Sequence, residues 1–294
     1  MPVTNRPAPN TPAAPTIAVS SWSLHRRIGL AYPDSPAAPG PHLGTGTAEP
    51  KWGPGAVSIL DFPAEVKAHG IDRLELCHFQ LAGRDPAYLG EMRAALKSAG
   101  VTLQTLLIDD GDLSHPEGAV RTRDQAWIAS WIEAGAVLGA KTARVVAGKQ
   151  PPSAAALQCS VDGLRALARR GKDVGVPVIT ENWFALTAGP KEVFHILDRL
   201  EGEVGLLADT GNWSGPAKYG DLAAIFARAS RCHAKASFTP DQQIDRDDYR
   251  RCILAAKNAG YSGPFALVYD SPGDEWAGVD AEREVVNQVY AEGA

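Results

Sequence analysis

Short apolar runs recur along the chain and alternate with longer segments whose apolar residues are spaced for a helix. The runs are rich in Val, Ile and Leu, which is typical of parallel strands buried on both faces. In one of them the apolar residues stop at Asp209, and Thr-Gly-Asn at 210–212 is typical of a turn. The pattern predicts eight strands, at residues 16–20, 71–78, 101–108, 142–146, 176–180, 204–209, 231–235 and 265–269, with the first continuing through 21–25.

The intervening segments carry residues that begin and end helices. Asp85 stands directly before a proline and Asp61 two residues before one, and Gly70 and Gly100 follow the same two segments. Alternation of eight strands with eight helices, without a composition break, predicts one α/β domain, a closed (β/α)₈ or TIM barrel. The first turn lacks a GxGxxG motif, so nothing supports a dinucleotide-binding fold. The predicted helices cover residues 61–69, 85–99, 123–138, 153–173, 190–200, 221–229, 247–259 and 275–290.

Two segments fall outside this alternation. Residues 31–55, after the first strand, are crowded with Pro and Gly and include His42 and Trp52. A segment this long and irregular is either a disordered excursion or a lid over the barrel mouth, and the sequence leaves both open. Residues 1–15 are rich in Pro, Ala, Thr and Asn, and they predict a flexible tail ahead of a barrel domain at 16–294.

Composition argues against several functional classes. The net charge of −5 and the pI near 5.8 give no electrostatic footprint for nucleic acid or an anionic membrane. No run is long and apolar enough to span a bilayer, and the tail lacks the apolar centre of a secretory signal. Four widely spaced cysteines form no CxxC pair, as expected of free thiols in a reducing cytoplasm. We therefore expect a cytoplasmic protein without nucleic-acid or membrane partners.

Three consecutive strands place metal-ligand residue types at one end. Glu181 follows the fifth strand, Asp209 ends the sixth and His233 lies in the seventh. In a (β/α)₈ barrel these strand ends open onto one mouth, so the three side chains would converge. Each residue alone has an ordinary structural role, such as a turn cap for Asp209. Together they predict a site for Mn²⁺, Mg²⁺, Co²⁺ or Zn²⁺, which carboxylate and imidazole ligands suit.

Several motifs along the chain resemble those of one known family. They are Leu60-Asp-Phe-Pro, Gly70-Ile-Asp-Arg-Leu-Glu75, Val178-Ile-Thr-Glu181-Asn182, Leu207-Ala-Asp209-Thr-Gly-Asn212, His233-Ala-Lys235 and Gly260-Tyr-Ser-Gly-Pro264. In this order and spacing, the chain resembles the xylose isomerase-like TIM barrels, specifically their sugar-phosphate isomerase and epimerase group. The resemblance runs from Thr16 to about Val286.

The resemblance implies roles for individual residues. Glu181, Asp209 and His233 would be metal ligands, and the counterpart of Glu181 also moves protons. Asn212 stands where the family often has a substrate-contacting His; it could hydrogen-bond sugar hydroxyls but could not titrate. Lys235 completes a common HxK pattern and would point toward substrate oxygens, which makes it a second catalytic candidate. A strand-end lysine that reaches solvent is the alternative.

Strand eight departs from the family pattern. The family usually has a Glu there, as fourth metal ligand and second acid or base, but Val268 occupies that position. Asp270 lies two residues further on, and on the same face if the strand continues. It is either a substitute fourth ligand or the start of a turn at Asp-Ser-Pro-Gly. Loss of the Glu weakens a two-base epimerase more than a one-base isomerase.

Other residues near the predicted mouth are candidates for substrate binding. His25 and His78 lie at the ends of strands one and two, and Trp183 follows Glu181 closely. Each of them has core packing as its alternative role. Further candidates of the same kind are Asp109, Lys149, Trp22, Trp52 and Trp213.

The sequence thus predicts a metal-dependent isomerase or epimerase that acts on a small sugar, keto-sugar or polyol by proton transfer next to a carbonyl. Two alternatives stay open: a related lyase or dehydratase acting on a keto-sugar or cyclitol, and a sugar-binding barrel impaired in catalysis by Val268. Cleavage of damaged DNA, which endonuclease IV performs on the same barrel, is disfavoured by the acidic charge and the few His residues at strand ends. The sequence specifies neither the sugar nor the metal, and it leaves a homo-oligomer open.

Overall fold

The computed structural model describes residues 14–40 and 47–292, and within them eight parallel strands close into a barrel. Each strand pairs with the next along the chain, and the last pairs with the first at Ile17–Phe265. The predicted (β/α)₈ fold is confirmed. The strands are β1 Ile17–Ser20, β2 Arg73–Cys77, β3 Thr102–Ile108, β4 Thr142–Val145, β5 Val178–Glu181, β6 Gly205–Asp209, β7 Ala229–Ala234 and β8 Phe265–Leu267.

The described ranges contain nine α-helices and three short 3₁₀ helices. The eight predicted helices correspond to α2–α9, and α1 is an addition that the sequence pattern does not predict. Helix α7 begins and ends three residues before the predicted bounds of 221 and 229, and its earlier end matches the start of β7 at Ala229. The α-helices are α1 His25–Ile28, α2 Phe62–Ala68, α3 Pro86–Ala99, α4 Gly118–Leu138, α5 Ala154–Val174, α6 Pro190–Leu200, α7 Lys218–Phe226, α8 Arg246–Asn258 and α9 Glu275–Ala291.

Some predictions fall on residues outside the described ranges. These are His42 and residues 1–13 of the tail predicted at 1–15. The domain bounds of 16–294 stay a prediction. Among the described helices, none combines the length and apolar character that crossing a membrane requires.

The segment after β1 is helical, so its prediction as a continued strand is wrong. Residues Ser21–Leu24 form a 3₁₀ helix, and α1 follows directly. The Ser20 hydroxyl accepts a hydrogen bond from the Trp22 backbone N–H at 3.3 Å, which caps this turn. A helical turn gives residues 21–25 side-chain directions different from those of an alternating strand.

A polar layer lies inside the barrel below the strand ends. Thr105 on β3 donates a hydrogen bond to Glu75 Oε1 on β2 at 2.6 Å, and its hydroxyl lies 3.2 Å from that of Thr142 on β4. All three side chains are buried. Because buried polar groups need partners, these contacts hold Glu75 at a fixed position within the barrel.

The loop between α1 and α2 packs onto the barrel in its described parts, and Asp34 anchors it. The indole N–H groups of Trp127 and Trp131 on α4 donate to the Asp34 carboxylate at 2.8 and 3.1 Å. Arg84, in the connection between β2 and α3, forms a buried ion pair with the same carboxylate. The Gly40 N–H donates to it at 2.8 Å. Residues 31–40 are therefore fastened to two other parts of the barrel.

Asp34→Asn is expected to lower the free energy of unfolding by about 1.5–3 kcal/mol, the usual contribution of hydrogen bonds to a charged group. The amide keeps the size of the carboxylate, but it removes the charge that faces Arg84. Urea denaturation followed by circular dichroism measures the change. Asp61→Asn, at a carboxylate with an exposed partner in Ser58, is the control and should stay within ~0.5 kcal/mol. Equal midpoints for the two variants would contradict the anchoring role of Asp34.

Candidate functional site

Three predicted ligand residues converge at the mouth of the barrel. Glu181 ends β5, Asp209 ends β6 and His233 lies opposite Asp209 on β7. His233 Nδ1 is 3.5 Å from Glu181 Oε1 and 3.5 Å from Asp209 Oδ2. The three ligand atoms lie within 4.8 Å of one another, all three residues are buried, and no second such cluster occurs in the described ranges. We call this group the triad.

The two carboxylate oxygens of Asp209 have different partners: one caps the following turn, and the other faces His233 in the triad. The backbone N–H groups of Gly211 and Asn212 donate to Oδ1 at 2.6 and 2.9 Å, while Oδ2 faces His233. The Asn182 side chain accepts from the Asp209 N–H at 2.7 Å and donates to its carbonyl at 3.1 Å. The turn-capping role and the proposed ligand role are therefore compatible.

Glu75 orients His233 from the other side of the barrel. Its Oε2 lies 2.8 Å from His233 Nε2, and its Oε1 accepts from Thr105. Strands β2 and β7 are not neighbours, so the two side chains meet across the barrel interior. A carboxylate that holds the outer nitrogen of an imidazole is typical of metal-ligating histidines, because it leaves the other nitrogen for the metal. Sequence reasoning named Glu75 only as the end of a family motif and gave it no role; its signal is the one carboxylate within β2.

Each carboxylate oxygen of Glu181 lies close to a polar side chain. Asn212 Nδ2 donates to Oε1 at 3.0 Å, and Arg144 Nε lies 3.0 Å from Oε2, although that pair lacks hydrogen-bond geometry. Arg144 is buried on β4, forms a second ion pair with Asp109, and donates to the Ile108 carbonyl at 3.3 Å. Sequence reasoning missed Arg144 as well, and its signal is a single cation in the run Thr-Ala-Arg-Val-Val.

The charges around the triad shift several pKa values. Burial disfavours a charged His233, but Glu181 and Glu75 outweigh this effect and raise its pKa well above the ordinary range. Burial likewise disfavours a charged Asp109, yet Arg144 outweighs it and lowers the pKa of that carboxyl. The pKa of Arg144 is raised, because Asp109 and Glu181 more than offset its burial. Without a metal, the triad therefore favours a protonated imidazole.

This raised pKa predicts a pH dependence of the metal-free protein. A group whose folded pKa exceeds its unfolded value, about 6.5 for His, stabilises the fold fully below that value. The contribution is lost as the pH rises through the folded pKa of His233. Thermal unfolding in the presence of a chelator should therefore show decreasing stability above pH ~6.5. His233→Gln should remove this slope, and an unchanged slope in that variant would contradict the prediction.

A cavity of about 200 Å³ opens beside the triad. Aromatic rings and charged groups share its wall, the combination found in sites for small polar ligands. Of the predicted substrate-binding residues, Asn212 and Trp183 line it. The lining also includes Trp22, Phe79, Arg144, Lys235, Val268 and Asp270.

Asp270 lies at the cavity but outside the triad. Its Oδ2 accepts from Lys235 Nζ at 2.6 Å, and burial, which opposes its charge, is outweighed by Lys235 so that its pKa is lowered. Strand β8 ends at Leu267, so strand alternation does not extend from Val268 to Asp270. The structure therefore does not bring Asp270 together with the other predicted ligands.

The two predicted substrate-binding histidines do not line the cavity. His25 lies in α1, where its Nδ1 is 2.6 Å from the Trp22 carbonyl and 3.6 Å from a Glu275 oxygen. His78 is buried against the edges of Trp127 and Trp131, and burial lowers its pKa. Both pack against aromatic rings, and a substrate-binding role for either stays a prediction.

The remaining candidates divide between the cavity wall and its surroundings. Trp22 lines the cavity, and Trp52 packs behind it with ring centroids 5.8 Å apart. Trp213 is buried and donates its indole N–H to the Thr187 carbonyl at 3.1 Å. Lys149 pairs with Asp110 at 2.5 Å.

The triad fits a divalent cation. Glu181 Oε2 is buried and has no hydrogen-bond partner among the described residues. Arg144 supplies a counter-charge 3.0 Å away but no hydrogen bond, so this oxygen can still accept a metal ion or a water molecule. Two carboxylates and one imidazole are ligands that Mg²⁺, Mn²⁺, Co²⁺ or Zn²⁺ accept, so the donor set does not specify the metal.

Solved structures of other proteins share this fold. D-allulose 3-epimerase from Methylomonas sp. has 14% identity and a TM-score of 0.68, with 95% of this chain and 99% of that chain covered. A xylose isomerase-like TIM barrel protein from Mycobacterium smegmatis, solved with magnesium, has 14% identity, a TM-score of 0.64, and coverage of 97% and 99%. The 3-keto-D-glucoside 4-epimerase YcjR from E. coli has 17% identity, a TM-score of 0.60, and coverage of 77% and 93%.

At these identities the structural likeness shows the fold alone, and no curated protein sequence matches the chain significantly. The family model described as xylose isomerase-like TIM barrel, however, matches residues 63–288, which is most of the chain. This match agrees with the family resemblance of the sequence motifs. The chain belongs to the xylose isomerase-like TIM barrel family.

Proposed function

We propose that this protein is a metal-dependent isomerase or epimerase that moves a proton next to the carbonyl of a small sugar, keto-sugar or polyol. The observation that carries the proposal is the convergence of Glu181, Asp209 and His233 beside an aromatic-walled cavity. The structural neighbours support the substrate class, since their names include D-allulose 3-epimerase, L-ribulose 3-epimerase and 3-keto-D-glucoside 4-epimerase.

The three triad residues would hold the metal. Bound there, a divalent cation would polarise substrate oxygens and stabilise the charge that develops when a proton leaves carbon. Glu75 keeps the imidazole of His233 oriented toward the other two ligands. Because the metal identity does not follow from the donor set, Mn²⁺, Mg²⁺, Co²⁺ and Zn²⁺ are all to be tested.

Other residues of the cavity would bind and position the substrate. Glu181, restrained by Asn212 and Arg144, is the carboxylate that would accept the proton. Lys235 lines the cavity with its ammonium group held by Asp270, so it can donate hydrogen bonds to substrate oxygens. Aromatic rings on the wall would exclude water from the reacting atoms, which strengthens these interactions.

Val268 favours a one-base reaction within this proposal. It lines the cavity where the family pattern has a Glu, and it can neither bind metal nor move a proton. A one-base isomerisation needs only Glu181, whereas a two-base epimerisation needs a second group on the opposite face of the substrate. A lyase or dehydratase and a catalytically impaired sugar-binding barrel remain the alternatives.

Solvent deuterium exchange tests the proposal. The protein, loaded in turn with each of the four metals, is incubated in D₂O with D-fructose, D-psicose, D-tagatose and L-ribulose, and NMR follows exchange beside the carbonyl. We expect metal-dependent exchange in at least one sugar and a loss of at least ~100-fold in Glu181→Gln, which cannot accept the proton. Exchange that is unchanged in Glu181→Gln would refute the assigned role, and sugar binding without exchange would favour the impaired barrel.

A further inference from the structure

Phe184 occupies a backbone conformation that its side chain disfavours. Its φ of 63° and ψ of 178° lie in a region that is almost restricted to glycine. The corner is held firmly, because the Thr187 hydroxyl accepts from the Trp183 N–H at 2.9 Å and donates to the Trp183 carbonyl at 2.6 Å. Strain of this kind persists only where the surrounding structure imposes it, and it clusters at ligand sites.

Burial of the Phe184 ring does little to offset this backbone strain. It is 38% exposed and, with Val137, one of two exposed large hydrophobic side chains among the described residues. A glycine here would avoid both the strain and the exposed ring. Backbone strain alone would therefore favour glycine over phenylalanine at this position.

The ring extends the aromatic wall of the cavity outward. It stacks on Trp183 with centroids 4.2 Å apart and planes inclined by 26°, and Trp183 lines the cavity. The ammonium group of Lys149 lies 5.5 Å from the Phe184 centroid and pairs with Asp110. The side chains of this pair are 31% and 37% exposed, so both can hydrogen-bond a ligand at the rim.

The volume of the cavity limits how much of a ligand it can enclose, and the rest of the ligand would lie at the rim beside Phe184. Its volume of about 200 Å³ is below the ~300–1,000 Å³ typical of pockets that enclose a ligand. A substrate with two rings would therefore place one ring at the triad and the second outside the cavity. A sugar ring has apolar C–H faces and a polar rim of hydroxyls, which match an aromatic ring flanked by charged groups.

We infer that Phe184, with Lys149 and Asp110 beside it, forms an outer subsite that stacks the second ring of a glycoside. The substrate class is then a keto-glycoside, whose oxidised sugar ring carries the carbonyl that the proposed proton transfer needs and whose aglycone ring projects from the mouth. The inference rests on the proposed function for the placement of the first ring at the triad.

Paired probes test the subsite without knowledge of the natural substrate. Methyl β-D-glucoside and phenyl β-D-glucoside differ only in the group that would reach Phe184, and their binding to Mn²⁺-loaded protein is measured by calorimetry. The wild type should bind the phenyl glycoside about 3- to 10-fold more tightly, in line with the energy of aromatic stacking. Phe184→Gly should abolish this ratio while leaving the affinity for the methyl glycoside unchanged.

The stability of Phe184→Gly separates a binding role from a structural one. Because glycine relieves the strained backbone, the variant should melt at the wild-type temperature or above it. Val137→Ala, the matched control at the other exposed hydrophobic, should leave the binding ratio unchanged. A lower melting temperature with an unchanged ratio would overturn the inference, as would a wild type that does not distinguish the two probes or binds neither.

The deuterium-exchange experiment distinguishes failure of the inference from failure of the proposed function. Exchange in free keto-sugars without preference for the phenyl glycoside would overturn the outer subsite and leave the isomerase proposal standing. Absence of exchange in every sugar and metal combination would count against the proposed function itself.

Discussion

Asp209→Asn is expected to reduce the affinity for Mn²⁺ by more than ~100-fold, since loss of even an outer partner of a metal ligand costs about 10–100-fold. The substitution is selective, because the amide oxygen can still accept from the Gly211 and Asn212 N–H groups that Oδ1 now satisfies. It removes the negative charge that faces His233. The turn should therefore stay intact while the cation site is lost.

Calorimetric titration of chelator-treated protein with Mn²⁺ measures this affinity. Asp110→Asn is the matched control: it removes a carboxylate that pairs with Lys149 and lies outside the triad. It should change the affinity by less than about fivefold, the equivalent of the ~0–1 kcal/mol that an exposed ion pair contributes. Equal affinities for wild type and Asp209→Asn would show that Asp209 only caps the turn. That result would refute the proposed metal centre.

Arg144→Met is expected to destabilise the protein by about 3–5 kcal/mol, the usual cost of removing one partner of a buried ion pair. Two carboxylates lose their counter-charge together, those of Asp109 and Glu181. Saturating Mn²⁺ should reduce the loss, since a cation at the triad would supply positive charge beside Glu181. Urea denaturation with and without the metal measures both effects.

A double substitution separates the charge of Arg144 from its packing. Asp109→Asn in the Arg144→Met background removes one of the stranded charges, so the double variant should be more stable than Arg144→Met alone. Arg246→Met is the surface control, because its pair with Glu284 is exposed and should contribute ~0–1 kcal/mol. If Arg144→Met and Arg246→Met cost the same, the buried network does not support the mouth.

The fold and the triad could be predicted because they depend on periodicity and position alone. Apolar runs separated by capped helices fix the strand order, and a parallel barrel brings all carboxyl ends of its strands to one mouth. Glu181, Asp209 and His233 each lie at such an end, so the alternation suffices to place them together.

The residues that support the triad could not be predicted in the same way. Glu75 and Arg144 lie within apolar strands, and the sequence does not reveal that their partners come from β7, β3 and β5. Contacts across a barrel depend on strand stagger, which the hydrophobic pattern does not encode.

Three predicted site residues lie outside the triad for another reason. His25, predicted to bind substrate, and Asp270, predicted as a metal ligand, are placed by extending β1 and β8, but the chain turns after Ser20 and after Leu267. His78 follows β2 closely, yet a 3₁₀ turn carries it into the wall beside Trp127 and Trp131. Side-chain direction past a strand end depends on local turns that the periodicity does not show.

The Asp34 anchor also has a consequence for the order in which the chain assembles. Its hydrogen bonds to Trp127 and Trp131 span 93 and 97 positions of sequence, and contacts of that separation form only after a large loop has closed. Residues 31–40 can therefore reach their final position only after α4 has docked. During synthesis, residues 31–40 emerge before α4, so their final contacts form late in folding even though they follow the first strand directly.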